Sequence, residues 1–193
     1  MSEFILALIS AALVNNLILH QGLAIDPALQ LAADQTRRRV HALGLATLAL
    51  LVLTSNIGQL LYHYLLQPLQ LGYLRVFILL PLCVLLVEPL LGGLSRMLPT
   101  LPFSGLMPLL LGNVALLGLS LQVTQGNYGA LQALALSLGG GLGFWLALSL
   151  FVDLRERSDN DAIAPSFRGL PVELIGAGVM ALAFLGFNGL FTS

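Results

Sequence analysis

Six apolar runs, each close to twenty residues long, occupy almost the whole of this chain: about 4 to 23, 42 to 65, 72 to 94, 105 to 124, 129 to 152 and 171 to 191. A helix needs roughly 20 mostly apolar residues to cross the hydrocarbon of a bilayer, so the runs predict six transmembrane helices. Turn-formers and charges separate them: Asp26-Pro27, the segment Asp34 to Arg39, Gln67-Pro68, Pro99 to Pro102, Gln125-Gly126-Asn127, and Asp153 through Arg168. Of 193 residues, 58% are hydrophobic and 9% charged, far below the charge content of a soluble domain. The expected fold is an all-α integral membrane protein, one six-helix domain over residues 1–193 with no room for a soluble domain. The start of the chain has no basic n-region and no small-residue cleavage site before Asn15, so the first run is read as a retained helix.

Orientation follows from the arginines, because basic residues stay on the cytoplasmic side of a membrane. Arg37, Arg38, Arg39, Arg96, Arg155, Arg157 and Arg168 fall in the first, third and fifth connections, and only Arg75 falls near the second. Both termini are therefore expected on the periplasmic side of a bacterial inner membrane. The first and fourth helices then run in opposite directions. Consecutive groups of three helices have opposite topology, so the halves, about 1–98 and 99–193, form a candidate inverted repeat of the kind that builds transport sites at the bilayer midplane. Chance likeness between Leu-rich segments is the competing explanation.

Asparagine stands near the middle of the first helix of each half: Asn15 and Asn16 in one, Asn113 in the other. Hydrocarbon offers no water to an amide, so each must find a partner in protein or line a cavity. One reading makes the amides cross-links between neighbouring helices, each contributing about 0.6–2 kcal/mol. The other has both helices interrupted there, with backbone groups free to bind an ion, a cofactor or water.

Glu88, followed by Pro89, lies toward the cytoplasmic end of the third run. It is a candidate for an ion path, or else a carboxylate paired with Arg96 or solvated at the interface. His20 and Asp26 project on different sides of a helix and make a poor metal pair. His41 and His63 bracket the second run at its two ends, which suits interfacial residues better than a proton relay. Glu173 opens the sixth helix, where a carboxylate favours the positive end of the helix dipole. Gly139-Gly140-Gly141-Leu142-Gly143 sits inside a hydrophobic run, without the strand and helix context of a phosphate loop, and is read as close helix packing, as are Gly176, Gly178, Gly186 and Gly189. The one cysteine, Cys83, excludes an intrachain disulfide and a metal site built from this chain's cysteines alone. All eight basic residues are arginine, the net charge is -1, and no interleaved basic and aromatic stripe is present, which argues against a nucleic-acid partner. Neither a catalytic triad pattern nor a nucleotide motif appears, so a self-contained enzyme is not expected.

Several stretches together resemble the A-type subunit of the Rnf electron-transport complexes and, more distantly, the E-type subunit of the sodium-pumping NADH:quinone reductase. The likeness rests on Leu13-Val14-Asn15-Asn16, Gly44-Leu45-Ala46-Thr47, Tyr73-Leu74-Arg75, Pro108-Leu109 leading to Asn113, Gly143-Phe144 and Leu150-Phe151. It continues through Arg155-Glu156-Arg157, Ala164-Pro165-Ser166-Phe167-Arg168-Gly169 and the segment Ala177 to Phe187. The resemblance implies six helices with both termini outside, agreeing with the arginines. It also implies a homologous partner subunit of opposite topology, within a complex that couples electron flow between NADH and ferredoxin to sodium or proton translocation. Flavins and iron-sulfur clusters reside in other subunits. In that family the interrupted first and fourth helices of both partners face one another, and each partner gives two cysteines to a shared 2Fe-2S cluster.

Here the chain departs from the pattern. Ungapped matching from the paired asparagines puts one cysteine position at Asp26, and matching from Asn113 puts the other at Val114. Valine cannot bind iron, and aspartate offers at most one oxygen where thiolate is the usual ligand. The cluster is therefore expected to be absent or atypical, and Cys83, in the third run, stands away from both positions. The expected function is a non-catalytic membrane subunit of an Rnf-type ion-translocating oxidoreductase, with Asn15, Asn16, Asn113 and Glu88 at its ion path or partner interface. The alternative is a small stand-alone transporter, or a structural paralogue without an electron-transfer role.

Overall fold

The computed structural model describes residues 2–16, 18–22, 37–126, 128–158 and 163–187, and its regular structure is helical throughout. In chain order the helices are α1 (Ser2–Ile9), α2 (Arg37–Leu61), α3 (Arg75–Met97), α4 (Met107–Leu111), α5 (Val114–Gln125), α6 (Ala130–Ser158) and α7 (Leu170–Leu185). A wider π turn, Ser10–Val14, extends α1, and another, Tyr62–Leu66, extends α2. Four segments are long and apolar enough to cross a membrane: Arg37–Leu66, Gly72–Met97, Met107–Gln125 and Ala130–Ser158. Glu3–Val14 and Leu170–Leu185 are apolar but shorter. With those two, the architecture is the expected membrane protein of about six helices.

The ends differ from expectation in an informative way. The first helix stops at Val14 rather than running on to residue 23, and residues 18–21 form a separate turn. The arginine-rich flanks expected as connections are instead helical: α2 begins at Arg37 and α6 continues to Ser158. The reason is pairing between the two helix ends. Arg37 Nη2 lies 3.5 Å from Asp153 Oδ1 and 3.2 Å from Glu156 Oε2, which offsets the unfavourable placement of a cation at the α2 N-terminus. Arg155 and Arg157 in the last turn of α6 suit its negative end.

α2 is the centre of the bundle, packed on α6, α5 and α3. Its buried stripe, from Val40 through Leu43, Thr47, Leu50, Thr54 and Gly58, recurs at helical spacing. The glycines of α6 do what a stripe of small residues does in a membrane, which is to let backbones approach. A Cβ on Gly141 would stand 2.8 Å from the Leu48 Cα of α2, and one on Gly143 would stand 2.5 Å from the Ala12 carbonyl oxygen. The same explanation does not extend to α7. Gly178 has open space where a Cβ would go, and Gly186 meets only the carbonyl of Ala183 in its own helix; Gly189 lies outside the described residues. Those glycines are not closing a contact within this chain.

α3 is peripheral. Only Leu79, Cys83 and Val87, four residues apart, are buried, leaving Phe77, Leu85 and their neighbours exposed.

Candidate functional site

Both spans that carry asparagine are interrupted at it, and the same side-chain chemistry restarts each helix. Past the π turn the backbone of Asn15 leaves helical geometry (φ -95, ψ 41), and four amide N–H groups of the next turn need acceptors. Asn16 supplies them. Its Oδ1 accepts from the backbone N–H of Ile18 (3.0 Å) and Leu19 (3.3 Å), and its own carbonyl accepts from His20 (2.9 Å) and Gln21 (3.3 Å). Its Nδ2 donates to the Ala12 carbonyl left over at the end of the first segment and to the Gly143 carbonyl of α6, both at 2.9 Å. The side chain is only 1% exposed.

Asn113 repeats the arrangement in the fourth span. α4 ends at Leu111, Gly112 closes it by donating to the Pro108 carbonyl, and Asn113 takes extended geometry (φ -80, ψ 94) as the N-cap of α5. Its Oδ1 accepts from Ala115 N–H at 3.1 Å, and its Nδ2 lies 3.4 Å from Thr47 Oγ1 on α2. Asparagine is a favoured N-cap because its short amide reaches the second or third N–H of the new helix. The two readings open at the level of sequence are thus both realised: the helices are broken, and the amide at each break also ties it to a neighbouring helix.

The two buried asparagines share no partner, since Asn16 turns to α6 and Asn113 to α2. Asn15 and Val114, by contrast, face outward. Asn15 is exposed, with its Nδ2 3.5 Å from Ser10 Oγ, and Val114 is 55% exposed at the start of α5. Asn113 and Val114 line a cavity of about 190 Å³ between α3 and the broken span, together with Leu80, Cys83 and Val84. Cys83 was expected to stand away from position 114, but the crossing of α3 over the α4–α5 break brings both to one cavity. The other matched cysteine position, Asp26, lies outside the described residues. Among the described residues no three His, Cys, Asp or Glu side chains come together as a metal site.

Glu88 is exposed on α3, and no ion pair joins it to Arg96 or to any other described residue. The histidines are occupied locally: His41 Nδ1 is 3.1 Å from Trp145 Nε1, and His63 Nδ1 is 2.9 Å from Gln67 Oε1. Arg75, the one arginine against the orientation rule, is held by Tyr62, whose hydroxyl accepts from its Nη2 at 3.0 Å and whose ring lies 4.4 Å below the guanidinium.

Glu173 stands in the first turn of α7, as its expected role requires, but it is buried there and bonds Arg155 Nε of α6 at 2.9 Å. Nothing in the sequence pairs these two residues, nor Thr47 with Asn113, nor Gly143 with Asn16. Arg155→Ala leaves the Glu173 carboxylate buried without its partner and is expected to cost about 1–3 kcal/mol, discounted because Arg155 is partly exposed. Replacing both residues (Arg155→Met with Glu173→Leu) should recover most of that in thermal unfolding. A double variant no more stable than Arg155→Ala would show that the lost pair is not the source of the cost.

Residues 4–191, which include both breaks, match the family described as "Rnf-Nqr subunit, membrane protein". The chain is 38% identical over 193 residues, 98% of each chain, to the A subunit of the ion-translocating oxidoreductase complex of Pseudomonas aeruginosa. It is 37% identical over 192 residues, again 98% of each, to the protein of that name from Syntrophotalea carbinolica. It is 34% identical over 188 residues, 96% of this chain and 97% of the relative, to the A subunit of the Na(+)-translocating ferredoxin:NAD(+) oxidoreductase complex of Acetobacterium woodii.

Proposed function

Because this chain belongs to the Rnf-Nqr family of membrane subunits, we propose that it serves as the A-type subunit of an ion-translocating oxidoreductase complex. In that role it contributes to the coupling of electron transfer between NADH and ferredoxin to sodium or proton movement. The observation that carries the reading is the near-full-length likeness to A-type subunits, joined to the two asparagine-capped breaks that interrupt the first and fourth spans.

The chain lies in the bacterial inner membrane with both termini periplasmic. Seven arginines stand at the proposed cytoplasmic connections, and the eighth is Arg75, held against Tyr62. The halves 1–98 and 99–193 form an inverted repeat; in support, each begins with a span broken and re-capped by asparagine. A homologous subunit of opposite topology covers the outward side of the breaks, where Asn15 and Val114 are open, while Asn16 and Asn113 hold the broken ends in shape. The remaining subunits supply flavin and iron-sulfur centres.

The residues at the break do not fit the family's shared 2Fe-2S cluster. Val114 presents methyl groups where a thiolate would be needed, and Cys83, in the same cavity, is a single buried thiol on another helix. No electron step is assigned to this chain. The test is purification of the complex, followed by iron analysis and electron paramagnetic resonance. The expected result is co-purification with flavin- and iron-bearing subunits and no 2Fe-2S signal dependent on this chain's interface. A 2Fe-2S signal lost on changing Val114 would overturn the claim about the cluster. A chain that purifies fully active and alone would overturn the assignment to a complex and favour a stand-alone carrier.

A further inference from the structure

The outer face of α3 presents hydrogen-bond acceptors at membrane depth and nothing of this chain to satisfy them. Glu88 sits at the centre of the face opposite the buried Leu79, Cys83 and Val87, and its carboxylate is exposed. At 1.5 Å per residue it lies ~20 Å along the helix from Arg75 and ~12 Å short of Arg96, well inside the hydrocarbon. Pro89 has no N–H to give the Leu85 carbonyl one turn back, and Pro81 none to give that of Phe77. Leu85 and Phe77 are both exposed. A transmembrane helix tolerates such freed carbonyls where a neighbour supplies donors, and acyl chains supply none.

The shape of the face points to a helix as the neighbour. Phe77, Pro81, Val84, Glu88, Gly92 and Ser95 are exposed and recur at spacings of four and three, the seam that a facing helix packs into. Gly92 and Gly93 have open space where a Cβ would stand, so a second backbone can come close there. Val84 also lines the cavity at Asn113 and Val114, which makes the seam continuous with the break in the fourth span.

The geometry points to one occupant: a transmembrane helix of another subunit that places an arginine or lysine against Glu88. A carboxylate and nearby freed carbonyls form a cluster of acceptors alone, which a multi-donor cation matches in charge and in hydrogen bonds. A neutral partner would make the same bonds to glutamine without the cost of a charge in hydrocarbon, so an acid at this place is used for its charge. The inference rests on the reading that the chain works in a multi-subunit membrane complex, and it adds the chemistry of one contact.

The test uses the purified native complex. A photo-crosslinking amino acid replaces Leu85 in an otherwise native chain, and illumination is expected to join this chain to one other membrane subunit, identified by mass. Glu88→Leu and Glu88→Gln are each expected to lower that adduct, and the recovery of that subunit, about three- to thirtyfold. Lipid adducts alone at Leu85 would overturn the proposal, whatever the variants do. So would a Glu88→Gln complex that keeps the adduct and all its subunits but loses ion transport, since that outcome assigns the carboxylate to an ion path. The unaltered complex reports on the parent reading separately, because its flavin- and iron-bearing subunits must co-purify before either variant is judged.

Discussion

Asn16→Leu should lose about 3–5 kcal/mol of stability and melt roughly 10 °C below the unaltered protein in the same detergent. One buried side chain makes four hydrogen bonds at the break: to Ile18 N–H, Leu19 N–H, the Ala12 carbonyl and the Gly143 carbonyl. Leucine replaces none of them, and in an apolar interior an orphaned donor or acceptor bears its full desolvation penalty rather than the small net value of a bond. The loss is a large share of a total stability that is itself about 5–15 kcal/mol. Asn16→Ser, which keeps an acceptor for the new turn but does not reach Gly143, should fall between the two. Asn15→Leu is the control: that residue is exposed, its one side-chain contact is 3.5 Å long, and its effect should stay within about 0.5 kcal/mol. Equal melting of Asn16→Leu and Asn15→Leu would show that the amide network does not hold the break.

Gly139→Val should destabilise by about 3 kcal/mol and free α1 from the bundle. A Cβ at this position would overlap the Leu8 carbonyl oxygen and stand 2.8 Å from the Ala11 Cβ. The obstructing atoms are backbone and a methyl with no rotamer to change, so relief requires moving α1 as a whole. Limited proteolysis should then cut the N-terminal segment faster, alongside a lowered melting temperature. Gly178→Val makes the contrast, because nothing lies within 4 Å of a Cβ there and the stability of the isolated chain should not change. Resistance of Gly139→Val to both assays would mean that α1 packs on α6 less closely than the Leu8 contact indicates.

The helices themselves were legible in the primary structure, since a run of apolar residues long enough to span hydrocarbon leaves the backbone no alternative to satisfying itself. Asn113 was legible as a point of interruption, because an amide in such a run must be capped, paired or wet. What the amides bond was not. Asn16 meets Gly143 across 127 residues of sequence, and Thr47 and Asn113 are 66 apart. Glycines illustrate the same limit. Gly139 and Gly178 are alike on paper, yet one is pressed against α1 and the other opens outward. The charged flanks misled in the other direction: Arg37 and Asp153 read as connection residues, but pairing with each other lets both helices continue past the apolar runs.

Cys83 and Val114 mark where sequence stops and packing begins. Composition and run length determined the class, the helix count and the orientation bias, because these depend on transfer of each segment from water to lipid, residue by residue. Only the tertiary structure decided that α3 crosses the break in the fourth span, putting Cys83 and Val114 in one cavity while Glu88 faces away from the core. Which faces of neighbouring helices meet is set by packing among side chains distant in sequence, and a hydrophobic period shared by every span carries no record of that choice.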